Sequence, residues 1–148
     1  MDDIDKKILN IIQTDFPVGA EPFKVIDSLA GISEEESLER IKRLKDDGII
    51  RRIGAVFNAR KIGFVSTLCA AKVPEEKIKA FVETVNAYPG VTHNYRRNHE
   101  YNVWFTVIAP SEEELKRFLA EITERTGVIE VLSMRASRIF KINASFEL

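Results

Sequence analysis

Through the first third of the chain the apolar positions recur every three or four residues, and beyond it they alternate. Ile4, Ile8, Leu9, Ile11 and Ile12 form one helical stripe, Phe23, Val25, Ile26 and Leu29 a second, and Leu38, Ile41 and Leu44 a third. The pattern predicts three short helices. Gly31 ends the second, Ser33 with Glu36 three residues on has the form of a capping box opening the third, and Gly48 closes it. The run IIRRIGAVFN that follows reads as a small hairpin, the wing of a winged helix-turn-helix.

After a basic connector, Arg60 and Lys61, the pattern changes to strands, beginning with GFVSTLCAAKV. Pro74 and the charged run from Glu75 open a helix to about Tyr88, and Pro89-Gly90 turns the chain into a strand over residues 91–98. A second strand over 101–109 follows at once. Ser111 with Glu114 caps a helix to about Thr126, and residues 128–142 return as a last strand. The order βαββαβ is that of a ferredoxin-like sheet with two helices on one face. The expected fold class is therefore α+β, with a winged helix-turn-helix over residues 1–60 and a ferredoxin-like domain over residues 61–148.

Composition narrows the function classes. The lone Cys69 lies in an apolar run and can form no internal disulfide; with no secretion-type leader and no membrane-length apolar run, the cytoplasm is the expected compartment. One cysteine and two histidines are too few for a four-ligand zinc site, and Cys69 reads as a small buried apolar residue rather than a heme thiolate.

Charge bears on nucleic acid. Residues 1–58 hold nine basic and twelve acidic side chains, a net of −3, whereas the remainder holds thirteen and eleven, a net of +2. A duplex-binding half is expected to be the basic one, because neutralising phosphates supplies most nonspecific affinity. The first turn of the recognition helix would carry Glu34, Glu35 and Glu36 toward the major groove. Acids there suit the helix dipole but not phosphates, so DNA binding is not expected and the helix-turn-helix reads as a retained scaffold.

The chemistry concentrates in residues 91–106, VTHNYRRNHEYNVWFT. Both histidines (His93, His99), the only tryptophan (Trp104) and two of the three tyrosines (Tyr95, Tyr101) fall there. Strict alternation puts Val91, His93, Tyr95 and Arg97 on one face of the first strand and Thr92, Asn94 and Arg96 on the other. On the second strand the apolar set Val103, Phe105 and Val107 is the better candidate for the helix-covered face, leaving Asn102, Trp104 and Thr106 opposite. In the last strand Arg135 and Lys141 share a face, from which basic groups can approach a pocket near the hairpin. Such convergence suits an anion with several carboxylates, since arginine offers paired donors in a planar fork. For Arg96, Arg125 and Arg138 a solvated position or a weak ion pair is the default.

A helix-turn-helix followed by βαββαβ resembles the Lrp/AsnC family over essentially the whole chain. A narrower resemblance rests on His93, Asn94, Tyr95, Arg97, His99, Tyr101, Asn102, Trp104, Phe105 and Thr106, with IRRIGAVFNARKIGF and KVPEE around them. This set is similar to that of the siroheme decarboxylases of the alternative heme and heme d1 pathways, which are built on the Lrp/AsnC fold.

The resemblance implies loss of CO2 from the C12 and C18 acetates of siroheme, giving 12,18-didecarboxysiroheme, with no cofactor beyond the iron tetrapyrrole itself. It implies that residues 61–148 bind substrate and dimerise, with a second copy or with a paralogous subunit. His93 and His99 are then the catalytic candidates, one as proton donor and one as a possible axial ligand to the siroheme iron. Tyr95, Arg97, Trp104, Arg135 and Lys141 are substrate-binding candidates, with Arg51 and Arg52 on the wing as carboxylate clamps where the two domains meet. An Lrp/AsnC-type transcription regulator is the alternative, in which Arg51 and Arg52 would touch phosphates instead.

Overall fold

In the computed structural model, which describes residues 1–141 and 145–148, the chain divides into two units: residues 1–55 with 141–148, and residues 56–140. The first unit holds helices α1 (Asp3–Thr14), α2 (Pro22–Ala30) and α3 (Glu34–Asp46). Their stripes meet in a core of Ile8, Leu9, Ile26, Ala30, Ile41, Leu44 and Ile50. Asp2 caps α1 through a full capping box with Asp5, a start signal the apolar pattern does not display. Ser33 caps α3 by accepting from the Glu36 amide, and Gly31 closes α2 at φ 79°. The stretch expected as a wing forms no strand pair among the described residues; Arg51 and Arg52 lie exposed in an irregular segment.

Charge pairing within this unit is one-sided. Asp5 is 1% exposed and accepts from the guanidinium groups of Arg40 (2.9 Å) and Arg43 (2.7 Å) on α3, while Arg40 also holds Asp2 and Glu36. Two arginines of the helix that would enter a groove are thus tied to carboxylates of their own unit. The tail joins the unit as well: Gln13 on α1 donates to the Phe146 carbonyl (2.6 Å) and accepts from the Phe146 amide (2.9 Å). Lys141 is exposed and falls in this unit, and Ile142, expected to end the last strand, lies outside the described residues.

The second unit is one antiparallel sheet of β1 (Val65–Ala71), β2 (Val91–Arg96), β3 (Val103–Ala109) and β4 (Val131–Met134), in the order β2-β3-β1-β4. Helices α4 (Ile78–Asn86) and α5 (Glu112–Thr126) cover one face, burying Cys69, Val103, Phe105 and Val107 with Phe81, Val85, Phe118 and Ile122. Val103, Phe105 and Val107 do face the helices. The last strand stops at Met134, eight residues before the expected end at residue 142.

One glycine fixes the entry to β2. Its carbonyl accepts from the Ile108 amide (2.8 Å), and a Cβ at Gly90 would collide with the Ile108 carbonyl oxygen and the Tyr88 ring. Gly90→Ala is expected to cost about 1–3 kcal/mol through this overlap, read as a lower urea midpoint at unchanged slope.

Candidate functional site

Strand β2 does not alternate strictly. Val91 pairs with Val107 and His93 with Thr106, so two steps on β2 oppose one on β3 and Thr92 is the extra residue of a β-bulge. Val91 consequently packs with the helix-covered core, while His93 and Tyr95 join Thr106 and Trp104 on the helix-free face. Val91 is therefore not on the face of His93, as unbroken alternation would have it. The reverse set also obeys this register: Asn94 bonds Asn86 on α4 (2.9 Å) and Arg96 pairs with Glu75 (2.8 Å), both on the helix side.

On the helix-free face His93, Tyr95, Arg97, Trp104 and Thr106 surround a concavity of about 360 Å³, floored by Leu68 of β1. The Arg97 guanidinium carbon stands 5.9 Å from the ring centroids of both Tyr95 and Trp104, held by cation–π attraction. Among the described residues no carboxylate pairs with it. A cation kept in place by ring faces retains its fork of donors for an incoming carboxylate.

The loop after β2 is braced from three directions. The Arg97 amide donates to the Asn102 carbonyl (2.8 Å), the Trp104 indole to the Tyr101 carbonyl (2.7 Å), and the Asn102 side chain exchanges two bonds with the Val73 backbone (2.8 and 2.9 Å). Asn102 imitates a strand neighbour and pins the loop beside the end of β1. Lys72 and Glu100 close the same corner, each charge stabilising the other, so the lysine titrates higher and the glutamate lower than usual.

The two histidines differ. His93 lines the concavity, and its Nδ1 lies 3.0 Å from the Thr92 hydroxyl. His99 sits in the loop, does not line the concavity, and its Nδ1 accepts from the Tyr101 amide (3.1 Å). An amide can only donate, so neutral His99 keeps its hydrogen on Nε2 and has no free lone pair to offer.

Other candidates lie elsewhere. Arg135 follows the end of β4 and pairs with Glu112 at the start of α5. Strands β2 and β4 are opposite edges of the sheet, three spacings or about 14 Å apart, so the last strand does not bring Arg135 to the concavity. Arg51, Arg52 and Lys141 belong to the other unit. Arg125 pairs with Glu121, as the surface default has it, and Arg138 lies over the Phe140 ring. Cys69 is buried on the helix side, where burial pushes its thiol up to about 12.

Leu68, Phe105 and Thr106 line the concavity and are not among the site candidates. The run TLCAA carries small or apolar residues on both faces, so alternation could not mark Leu68 as facing outward. The bulge at Thr92 has no glycine or proline to signal it.

Taken together, a helical unit and a four-stranded sheet with a one-sided helix layer are the architecture of an AsnC-like protein, with a concavity on its open sheet face. Residues 61–141 match the AsnC-like ligand binding domain, and residues 5–51 match the siroheme decarboxylase NirDL-like HTH domain. The siroheme decarboxylase alpha subunit of Desulfovibrio desulfuricans is 51% identical over 148 residues, covering 100% of this chain and 85% of that protein. The chain belongs to the siroheme decarboxylase family.

A crystal structure of the siroheme decarboxylase NirDL in co-complex with an iron-uroporphyrin III analogue is 39% identical, at a TM-score of 0.72 over 97% of this chain and 48% of that one. This chain spans about half the length of the solved decarboxylase chains it matches. An AsnC family transcriptional regulator from Agrobacterium tumefaciens is 25% identical, with a TM-score of 0.77 over 99% of this chain and 96% of that one.

Proposed function

We propose that this chain is a subunit of a siroheme decarboxylase that converts siroheme to 12,18-didecarboxysiroheme. The observation that carries the reading is the concavity where His93, Arg97, Tyr95 and Trp104 meet, in a chain of this family. A tetrapyrrole is a flat apolar disc with a carboxylate rim. Trp104, Tyr95 and Leu68 offer flat or apolar contact, and Arg97 takes a rim carboxylate.

In each of two turnovers an acetate's C–CO2 bond breaks, CO2 leaves, and the electron pair stays on the methylene carbon in conjugation with the ring. A proton then makes that carbon a methyl group. A cation held against the reacting carboxylate would stabilise the ground state and slow this step. Arg97 is therefore assigned to a spectator carboxylate, which positions the disc, and the reacting acetate to the apolar floor near Leu68. His93 supplies the proton, since it lines the concavity and His99 does not. Axial ligation of the iron by His99 through Nε2 is disfavoured by the hydrogen that nitrogen carries. Siroheme brings the only iron the reading requires. Arg51, Arg52, Arg135 and Lys141 are tested as further carboxylate partners by alanine substitution.

A space of about 360 Å³ is at the low end for small-molecule sites and admits part of such a disc, so a second wall is needed. Several relatives are named as subunits. The exposed Leu68, Leu132 and Met134 on the helix-free face suit a second copy or a paralogous subunit as that wall. No helix among the described residues is long and apolar enough to cross a membrane, and a cytoplasmic site of action accords with the single buried thiol. DNA binding is left out of the reading, because Arg40 and Arg43 are consumed by Asp2, Asp5 and Glu36.

Incubation with siroheme, alone and with a candidate partner, followed by mass analysis tests the reading: stepwise loss of two CO2 units supports it. Unchanged ligand mass under every condition would sink it. Arg97→Ala is expected to weaken siroheme binding about 10- to 100-fold, from the loss of one charge-assisted contact, as read by absorbance titration.

A further inference from the structure

The hydroxyl of Thr92 faces two partners. It lies 3.0 Å from His93 Nδ1 and 3.5 Å from the Thr106 carbonyl oxygen. With its hydrogen turned toward the Thr106 carbonyl, which only accepts, the hydroxyl can only accept at Nδ1; with it turned toward Nδ1 it would give up the Thr106 contact. We infer that Thr92 is a positioning residue: from the bulge it holds the Nδ1 hydrogen of His93, so that Nε2 is the nitrogen that gains and releases the proton used in the reaction.

This rests on the decarboxylase reading and deepens it. The bulge performs two tasks with one residue. It turns His93 to the helix-free face, and it presents the Thr92 hydroxyl beside the imidazole edge. When His93 carries both hydrogens the Nδ1 bond is made, and when Nε2 has given up its proton the same bond persists, so the ring does not have to rotate between turnovers. His99 has the opposite arrangement. A second ring hydrogen at its Nδ1 would point at the Tyr101 amide hydrogen. Two histidines six residues apart are therefore held in opposite tautomers by their first neighbours, one by a hydroxyl and one by an amide.

The test uses the intact chain labelled with ¹⁵N in its histidines, where an unprotonated ring nitrogen resonates far downfield of a protonated one. Neutral His93 is expected to show the downfield signal on Nε2 and neutral His99 on Nδ1. Thr92→Val keeps the β-branched shape and removes the hydroxyl, and is expected to move the His93 signal toward the Nε2–H form; Thr92→Ser is expected to restore it.

With siroheme and a partner that supports turnover, Thr92→Val is expected to lower kcat about 3- to 10-fold at unchanged KM, the scale of one neutral hydrogen bond. A His93 already protonated on Nε2 in the unaltered chain, or unmoved by Thr92→Val in a folded protein, overturns the assignment. Absence of turnover in the unaltered chain would instead remove the decarboxylase reading and leave the tautomer result to be judged on its own.

Discussion

His93→Ala is expected to reduce siroheme decarboxylation about 10²- to 10⁴-fold, the span that a positioned general acid contributes. Siroheme binding should change little, because Arg97, Tyr95 and Trp104 remain around the concavity. The measurement is single-turnover mass analysis at saturating siroheme, which separates chemistry from binding. His99→Ala serves as the internal comparison and is expected to retain most of the rate, since His99 sits in the braced loop outside the concavity. Equal losses in the two variants would mean that the ring in the loop moves inward when substrate arrives. A His93→Ala protein with full turnover would remove this histidine from the chemistry altogether.

Asp5→Ala carries the largest expected effect on stability, about 3 kcal/mol, because it strips a buried charge from its partners and leaves Arg40, whose side chain is 15% exposed, without its inner carboxylate. Burial by itself would raise the Asp5 carboxyl, but bonds from the Asp2 amide and Arg40, with the charge of Arg43, outweigh it and hold Asp5 below the ordinary range. Asp2 is drawn down to about 2 by its bond to Arg40. Carboxyls depressed in the folded state contribute stability that is full above their unfolded values and is lost as the pH falls through the folded ones. The N-terminal unit should therefore weaken between about pH 4 and pH 2, and Asp5→Ala should lose less across that interval than the unaltered chain. Urea melts followed at neutral and acid pH read both effects. A midpoint that acid moves equally in both proteins would contradict the role given to Asp5.

Much of this is legible in the sequence. The three apolar stripes, the caps at Ser33 and Ser111, the turn at Pro89-Gly90 and the βαββαβ order all lie in local patterns of three to seven residues, and local backbone physics enforces them. The candidate chemistry was legible too, because both histidines, Trp104 and Arg97 crowd into one hairpin. What was misjudged depends on partners distant in sequence. The stretch of Arg51 and Arg52 looked like a wing, yet no strand pairs with it among the described residues. Arg135 looked available as a rim cation, but Glu112, twenty-three residues away, holds it at the start of α5.

The sequence by itself determined the elements, their order and the residues able to do acid–base and carboxylate chemistry, since each of these is a property of neighbouring side chains. Only the tertiary structure decided which of those residues share a site. The bulge at Thr92 shifts the register by one residue, and in a strand of period two a single step moves a side chain to the opposite face. That step parts His93, Tyr95 and Arg97 from Val91, which stays with the helix-covered core, and puts all three on the open face, where the Arg97 guanidinium stands against the rings of Tyr95 and Trp104.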